Sequence, residues 1–91
     1  MRTENLIHPG EILLEEFMRP IGLSQNRLAT ALSVPVKRIN AVVRRKRPVT
    51  ADLALRLSGY FKTTPEFWMN LQNHDDLDIA RIQMEKENVS A

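Results

Sequence analysis

Apolar positions along this chain recur three and four residues apart, the spacing of an amphipathic helix, and nowhere alternate as a strand would. Leu13 with Phe17, and Leu14 with Met18, are pairs four apart. His8-Pro9-Gly10-Glu11 precedes them. Proline suits a first helical position, where its missing N–H has no partner to lose. Glu11, Glu15 and Glu16 favour the positive end of the same helix. Pro20 predicts its stop. Ser24 predicts the cap of a second helix, with Leu28 and Leu32 on its inner face and an end near Leu32 or Ser33. Val34-Pro35 restarts the chain into a third helix, from Pro35 to about Val43, with Ile39, Val42 and Val43 turned inward. Thr50 caps a fourth, lined by Leu53, Leu57 and Phe61. Thr64-Pro65-Glu66 opens a fifth, with Phe67, Trp68 and Leu71 on its apolar face. Asn73-His74-Asp75-Asp76 leaves two readings open, a short break or a bend in one long helix. Leu77, Ile79, Ile82 and Met84 then carry a weaker helical pattern to about Lys86, before a frayed end. Residues 1–7 read as a loose arm. The expected fold class is all-α, with five helices and a core where Leu28, Ile39, Leu53 and Leu57 meet.

The second and third helices have a tighter relationship than the others. Both are short, and only a few residues separate them. The outer face of the third carries Val36, Lys37, Arg38, Asn40, Ala41 and Arg44. Two short helices, a tight turn and an exposed polar second helix are what a helix-turn-helix requires, with motif helices at about 24–32 and 35–43.

Charge sharpens this picture. The 91 residues have a net charge of only +2. Yet residues 24–48 contain seven cations and no acid: Arg27, Lys37, Arg38, Arg44, Arg45, Lys46 and Arg47. Residues 1–23 hold two cations and four acids, and residues 49–91 hold four cations and seven acids. Positive charge gathered on one motif is the footprint of a phosphate-binding surface. A solvated basic loop beside a small helical core is the plainer alternative, and the capped helix-turn-helix pattern favours nucleic acid over it.

Length allows one domain over residues 1–91, with a modest core. The chain has no cysteine, so neither a disulfide frame nor a thiolate metal site is available. No apolar run approaches the roughly 18–20 residues of a membrane span, and the first residues lack the apolar centre of a signal peptide. A soluble, cytoplasmic protein is expected. His8 with Glu11, or His74 with Asp75, Asp76 and Asp78, could be drawn as metal sites. Neither has a recognised ligand spacing, and a helix-start histidine and a solvated acidic turn explain them better. Two histidines and serines without a nucleophile motif argue against an enzyme, and three glycines form no phosphate loop. No metal and no cofactor is expected. Trp68 beside Phe67 could stack on bases, but aromatics at helical spacing more often fill a core or an interface.

HPGEILLEEF (8–17), LSQNRLATAL (23–32), VPVKRIN (34–40), KRPVTADLALRL (46–57) and TPEFWMNLQ (64–72) together resemble the HigA antitoxins, small Xre/Cro-type helix-turn-helix proteins of bacterial toxin–antitoxin modules. Five motifs in order over about residues 7–80 make the resemblance specific. It implies a five-helix, lambda-repressor-like fold with a C-terminal helical extension. It also implies a homodimer that binds a palindromic operator, usually its own promoter, and a partner toxin of the HigB type, an mRNA-cleaving ribonuclease. By the same resemblance Gln25 would hold a phosphate, and Val36, Lys37 and Ala41 would face bases, with Arg38 and Asn40 beside them. The family commonly has glycine after the second motif helix, where this chain has Arg45.

Chemistry divides these residues further. Arg27 and the Arg44–Arg47 cluster can neutralise phosphates on any sequence. Lys37 and Arg38 can read guanine, Asn40 can read adenine, and Val36 and Ala41 can meet thymine methyls. An Arg38 side chain turned back to a neighbouring acid or to a phosphate would behave like Lys46, as a backbone contact, instead. Apolar groups left over late in the chain, Trp68, Leu71, Leu77, Ile79 and Ile82, predict dimerisation through the helix at 65–86. The rival function is a protein-interaction module that holds a toxin or other partner with weak or no specific DNA binding.

Overall fold

The first helix changes pitch twice. The structure, a computed structural model, describes residues 8–90, with side chains through residue 88. The arm expected at residues 1–7 lies outside the described residues. Helix α1 (residues 9–21) opens with an α-helical turn at Pro9–Ile12, widens to a π-helix at Leu13–Met18 and tightens to a 3-10 turn at Arg19–Ile21. A π turn brings residues five apart onto one face. Leu13 and Met18 are therefore the buried pair, while Leu14 and Phe17 are only half-buried. The expected four-residue pairs are displaced accordingly. Pro20 does not stop the helix either. The chain passes through it and closes at Gly22, whose N–H donates to Arg19 O at 3.1 Å while Leu23 N–H donates to Met18 O at 2.9 Å.

That pairing of bonds, around a left-handed residue, is a Schellman end. It recurs after the next two helices without a glycine. Ser33 (φ 59°) ends α2 (Gln25–Leu32), and Arg45 (φ 63°) follows α3 (Val36–Val43). At the second of these, Arg45 N–H donates to Val42 O at 3.0 Å and Lys46 N–H to Ala41 O at 2.8 Å. Arg45 thus adopts the left-handed backbone that glycine would take at lower cost, of the order of 1 kcal/mol less. Lys62 (φ 61°) closes α4 (Ala51–Phe61), where Thr63 N–H donates to Ser58 O at 3.2 Å.

The expected caps hold at Ser24 and Thr50, whose hydroxyls accept from Arg27 N–H (3.1 Å) and Leu53 N–H (3.3 Å). Pro35 is shifted by one position: its backbone is extended (ψ 144°), so it is the cap of α3 rather than its first residue.

Helix α5 (Pro65–Ser90) is continuous. Of the two readings open at 73–76, one long helix is the one that forms, and it runs on past Lys86 without fraying there. No glycine or proline interrupts residues 66–90. Asparagine and aspartate inside a helix each cost well under about 1 kcal/mol, too little to offset the cooperativity of a propagating helix. Two of these polar residues are also tied down. Asp75 is buried, and Asp76 accepts from the Gln72 amide at 2.9 Å.

The core gathers Leu13, Met18, Leu28, Leu32, Ile39, Val42, Val49, Leu53, Leu57 and Trp68. Trp68 corrects an expectation. It is fully buried within the chain, its ring 4.9 Å from that of Phe17, and its indole N–H donates to Thr63 Oγ1 at 2.8 Å. It closes the core of one subunit and has no surface left for a partner or a base.

Candidate nucleic-acid interface

Helix α3 lies across α2 with its first turn exposed. Around that turn a shallow hollow of about 760 Å³ is lined by Gln25, Pro35, Val36, Lys37, Arg38, Asn40, Ala41 and Arg47. The extended backbone at Pro35 sets the start of α3 just outside α2, so Val36 and Lys37 project where Ile39 and Val42 do not. Gln25, Val36, Lys37, Arg38, Asn40 and Ala41, expected to act together from sequence, line one concave surface.

The polar members of that surface are held differently. The Asn40 amide donates to Gln25 Oε1 at 3.0 Å, a part-buried bond between the two motif helices. It fixes both amides before any ligand arrives. Arg38 turns away from the hollow's mouth: Nη1–H donates to Asp52 Oδ2 at 3.1 Å and Nη2–H to Thr50 Oγ1 at 2.8 Å. Lys37 is exposed and has no ion pair among the described residues.

The basic loop divides as well. Arg44, Lys46 and Arg47 are exposed with no carboxylate partner among the described residues, as is Arg27 on α2. Arg27 lies beside Leu23, Asn26 and Tyr60, off the hollow. Arg47 reaches the hollow, and Arg44 and Lys46 do not line it. Arg45 pairs through its guanidinium with Glu11 of α1, while its side chain, about half exposed, lines a second hollow together with Lys46 and Arg47.

Beneath the loop lies a contact that the sequence did not disclose. Val49 N–H donates to Gln72 Oε1 at 2.8 Å, with both groups buried. The loop after α3 is thereby anchored to α5. Beside it, His8 Nδ1 accepts from Gly10 N–H at 2.8 Å and caps α1. Burial pushes the His8 imidazole below its usual pKa, against the attraction of Asp75, and burial pushes the Asp75 carboxyl above its usual value. The two signs differ. The Asp75 contribution is full below pH ~4 and fades as pH rises through its elevated pKa. The His8 contribution is full above pH ~6.5 and is lost as pH falls through its depressed pKa, because a protonated Nδ1 cannot accept the Gly10 N–H. His8→Asn keeps a capping acceptor without a titration. Melting temperature against pH should fall more steeply below pH ~6.5 in the parent than in this variant. Parallel curves would remove His8 from the account.

Among the described residues no helix is long and apolar enough to cross a membrane, and no group of three His, Cys, Asp or Glu side chains is placed to hold a metal ion.

Comparison with known proteins follows the same lines. The family described as Helix-turn-helix matches residues 14–68. Virulence-associated protein I of Dichelobacter nodosus is 48% identical over 83 residues, 91% of this chain and 77% of that protein. The structure of the Pseudomonas aeruginosa antitoxin HigA with the higBA promoter superposes with a TM-score of 0.87, at 43% identity over 91% of this chain and 90% of that one. The antitoxin GraA in complex with its operator gives 0.83, at 48% identity over 93% and 86%. The chain belongs to the helix-turn-helix family, and within it to the HigA-type antitoxins.

Proposed function

We propose that this protein is an antitoxin and autorepressor of the bacterial cytoplasm. As a homodimer it binds a palindromic operator in double-stranded DNA, and it neutralises a HigB-type toxin, an mRNA-cleaving ribonuclease. The observation that carries the DNA half is the exposed first turn of α3, with unpaired Lys37 beside the fixed Gln25–Asn40 pair and unpaired Arg44, Lys46 and Arg47 at its far end. The similar proteins solved with a promoter and with an operator support a DNA-binding role. The toxin half rests on family membership.

The α3 helix of each subunit enters a major groove, the two half-sites lying about one turn apart, roughly 34–36 Å. Gln25, Arg27, Arg44, Lys46 and Arg47 hold phosphates. Val36, Lys37, Asn40 and Ala41 meet base edges. A gel shift on the DNA upstream of this protein's own reading frame tests the proposal. A shift that scrambled DNA does not give supports it. No shift, with a toxin complex still isolable, would instead favour an interaction module.

Two kinds of cation should separate by mutation. Lys46→Ala is expected to weaken operator and random DNA by similar factors and to lower the salt slope by about 0.9. Lys37→Ala should cost roughly 1–3 kcal/mol on the operator and much less on random duplex. Equal losses on both duplexes for both variants would mean that α3 does not read bases.

Dimerisation is placed on the distal part of α5. Leu77 and Ile79 are 51% and 53% exposed there, on different sides of the helix, while Ile82 is half-buried on the Ile79 side and Leu71 packs against the core. The double variant Leu77→Asp/Ile79→Asp should fold, sediment as a monomer and lose operator affinity. A dimer that persisted would locate the interface elsewhere.

A further inference from the structure

Asp52 is an acid placed at the edge of a basic surface. It lies in the first turn of α4, with its side chain about half exposed. Its carboxylate accepts from Arg38 Nη1 at 3.1 Å and from Arg56 Nε at 3.1 and 3.2 Å. Arg56 in turn donates through Nη1 to Leu32 O at 2.7 Å, the carbonyl at the end of α2. Thr50 Oγ1 takes the other terminal nitrogen of Arg38 while also capping α4. One carboxylate therefore joins the end of α2, the first turn of α3 and the start of α4. Two of the three nitrogens of the Arg38 guanidinium are engaged within the protein.

An arginine in that position without Asp52 would be a mobile cation beside the DNA, free to follow any phosphate. Free arginines raise affinity for every sequence alike. An arginine held by a bidentate pair of acceptors presents its remaining donors in one direction only. Its side chain is one-third exposed and still borders the hollow around α3. Arg38 is thus turned to an acid, as the sequence allowed, but with two acceptors holding it, it is no free backbone contact and can meet DNA only when α3 is seated in one position.

We propose that Asp52 is a specificity-determining positioning residue, which holds Arg38 to α4 and so withholds one cation from indiscriminate phosphate contact. The inference rests on the DNA-binding reading above. It assigns to an acid, outside the motif helices, part of the discrimination between operator and random DNA. The same carboxylate is held below the usual range, first by the hydrogen bond from Arg56, so it stays charged at any pH where the protein would bind DNA.

The test is a double-mutant cycle on the full-length protein, with operator and scrambled duplexes titrated at several salt concentrations. Asp52→Asn removes the charge and keeps the shape. It should raise affinity for scrambled duplex by roughly three- to tenfold near 0.1 M salt and steepen the salt slope by about 0.9, the signature of one added phosphate contact. Operator affinity should rise less, so the ratio between the two duplexes falls. In an Arg38→Ala background the same substitution should change neither ratio nor slope. Asp52→Glu, which restores a carboxylate, should recover most of the parent ratio. Thermal melts verify that each variant is folded, and a structural role alone would not alter the slope. An Asp52→Asn effect that is equal on both duplexes, or that persists without Arg38, overturns the inference while leaving the DNA reading intact. A parent protein that fails to prefer its operator overturns the DNA reading and this inference with it.

Discussion

Gly10→Ala is expected to destabilise the protein by about 3 kcal/mol or more, at or beyond the upper end for overpacked positions. A Cβ on Gly10 would lie 1.9 Å from Val42 O and 2.7 Å from Val42 C. Both are backbone atoms of the last turn of α3, so no side chain can rotate out of the way. Relief requires α1 to move off α3 by more than an ångström. The His8 cap would be disturbed too, since its Nδ1 is 3.0 Å from the same point. In a small domain with a total of about 5–10 kcal/mol, that loss raises the unfolded population roughly a hundredfold and lowers the melting temperature by many degrees. Calorimetry or a chemical melt measures it directly. A variant with the parent's midpoint would mean that α1 and α3 do not meet as described.

Ile39→Ala is the second large effect. Ile39 is fully buried under α3, in the cluster with Leu28, Leu53 and Leu57. Removing three carbons from such a site should cost about 2–5 kcal/mol through lost burial and the cavity left behind. The variant should lose DNA binding in proportion to its unfolded fraction, with an unchanged salt slope in the fraction that remains folded. Lys37→Ala should do the reverse, with a parent-like melt and weakened operator binding. The comparison separates a residue that builds the motif from one that uses it. An Ile39→Ala melt matching the parent would place Ile39 on the surface and reverse the phase of α3.

Much of this was legible along the chain because it depends on local rules. Ser24 and Thr50 cap the helices that follow them, since a hydroxyl at that position needs only its own neighbours. The inward set of α3 follows from three- and four-residue spacing. The π segment of α1 could not be read in this way. No residue in Leu13–Met18 announces its widened turn. The choice between a broken and a continuous α5 stayed open along the chain for a related reason. Asn73-His74-Asp75-Asp76 has weak helical preference, but Asp75 is taken into the interior and Gln72 links Asp76 to the buried Val49 amide. Among the site residues, type was readable and partnership was not. Arg38 and Arg45 are cations like their neighbours in sequence. Only the fold brings Asp52 to one and Glu11 to the other. That Arg38 could turn back to a neighbouring acid was readable, but which acid was not.

The unbroken course of α5 has a geometric consequence for the assembled repressor. Its 26 residues make a rod of about 39 Å at 1.5 Å per residue, comparable with a full turn of DNA. In a dimer joined at its distal part, each rod is tied to the basic loop after α3 through Gln72 and Val49. Gln72 and a joint at residues 77–82 are about 8–15 Å apart along the helix, so a tilt of about 5° at the joint moves the tie by only about 1 Å, a third of the rise of one base pair. Such a dimer would pass the separation of its two joints to the two basic loops with little slack, where a hinge at residues 73–76, between tie and joint, would have let them drift.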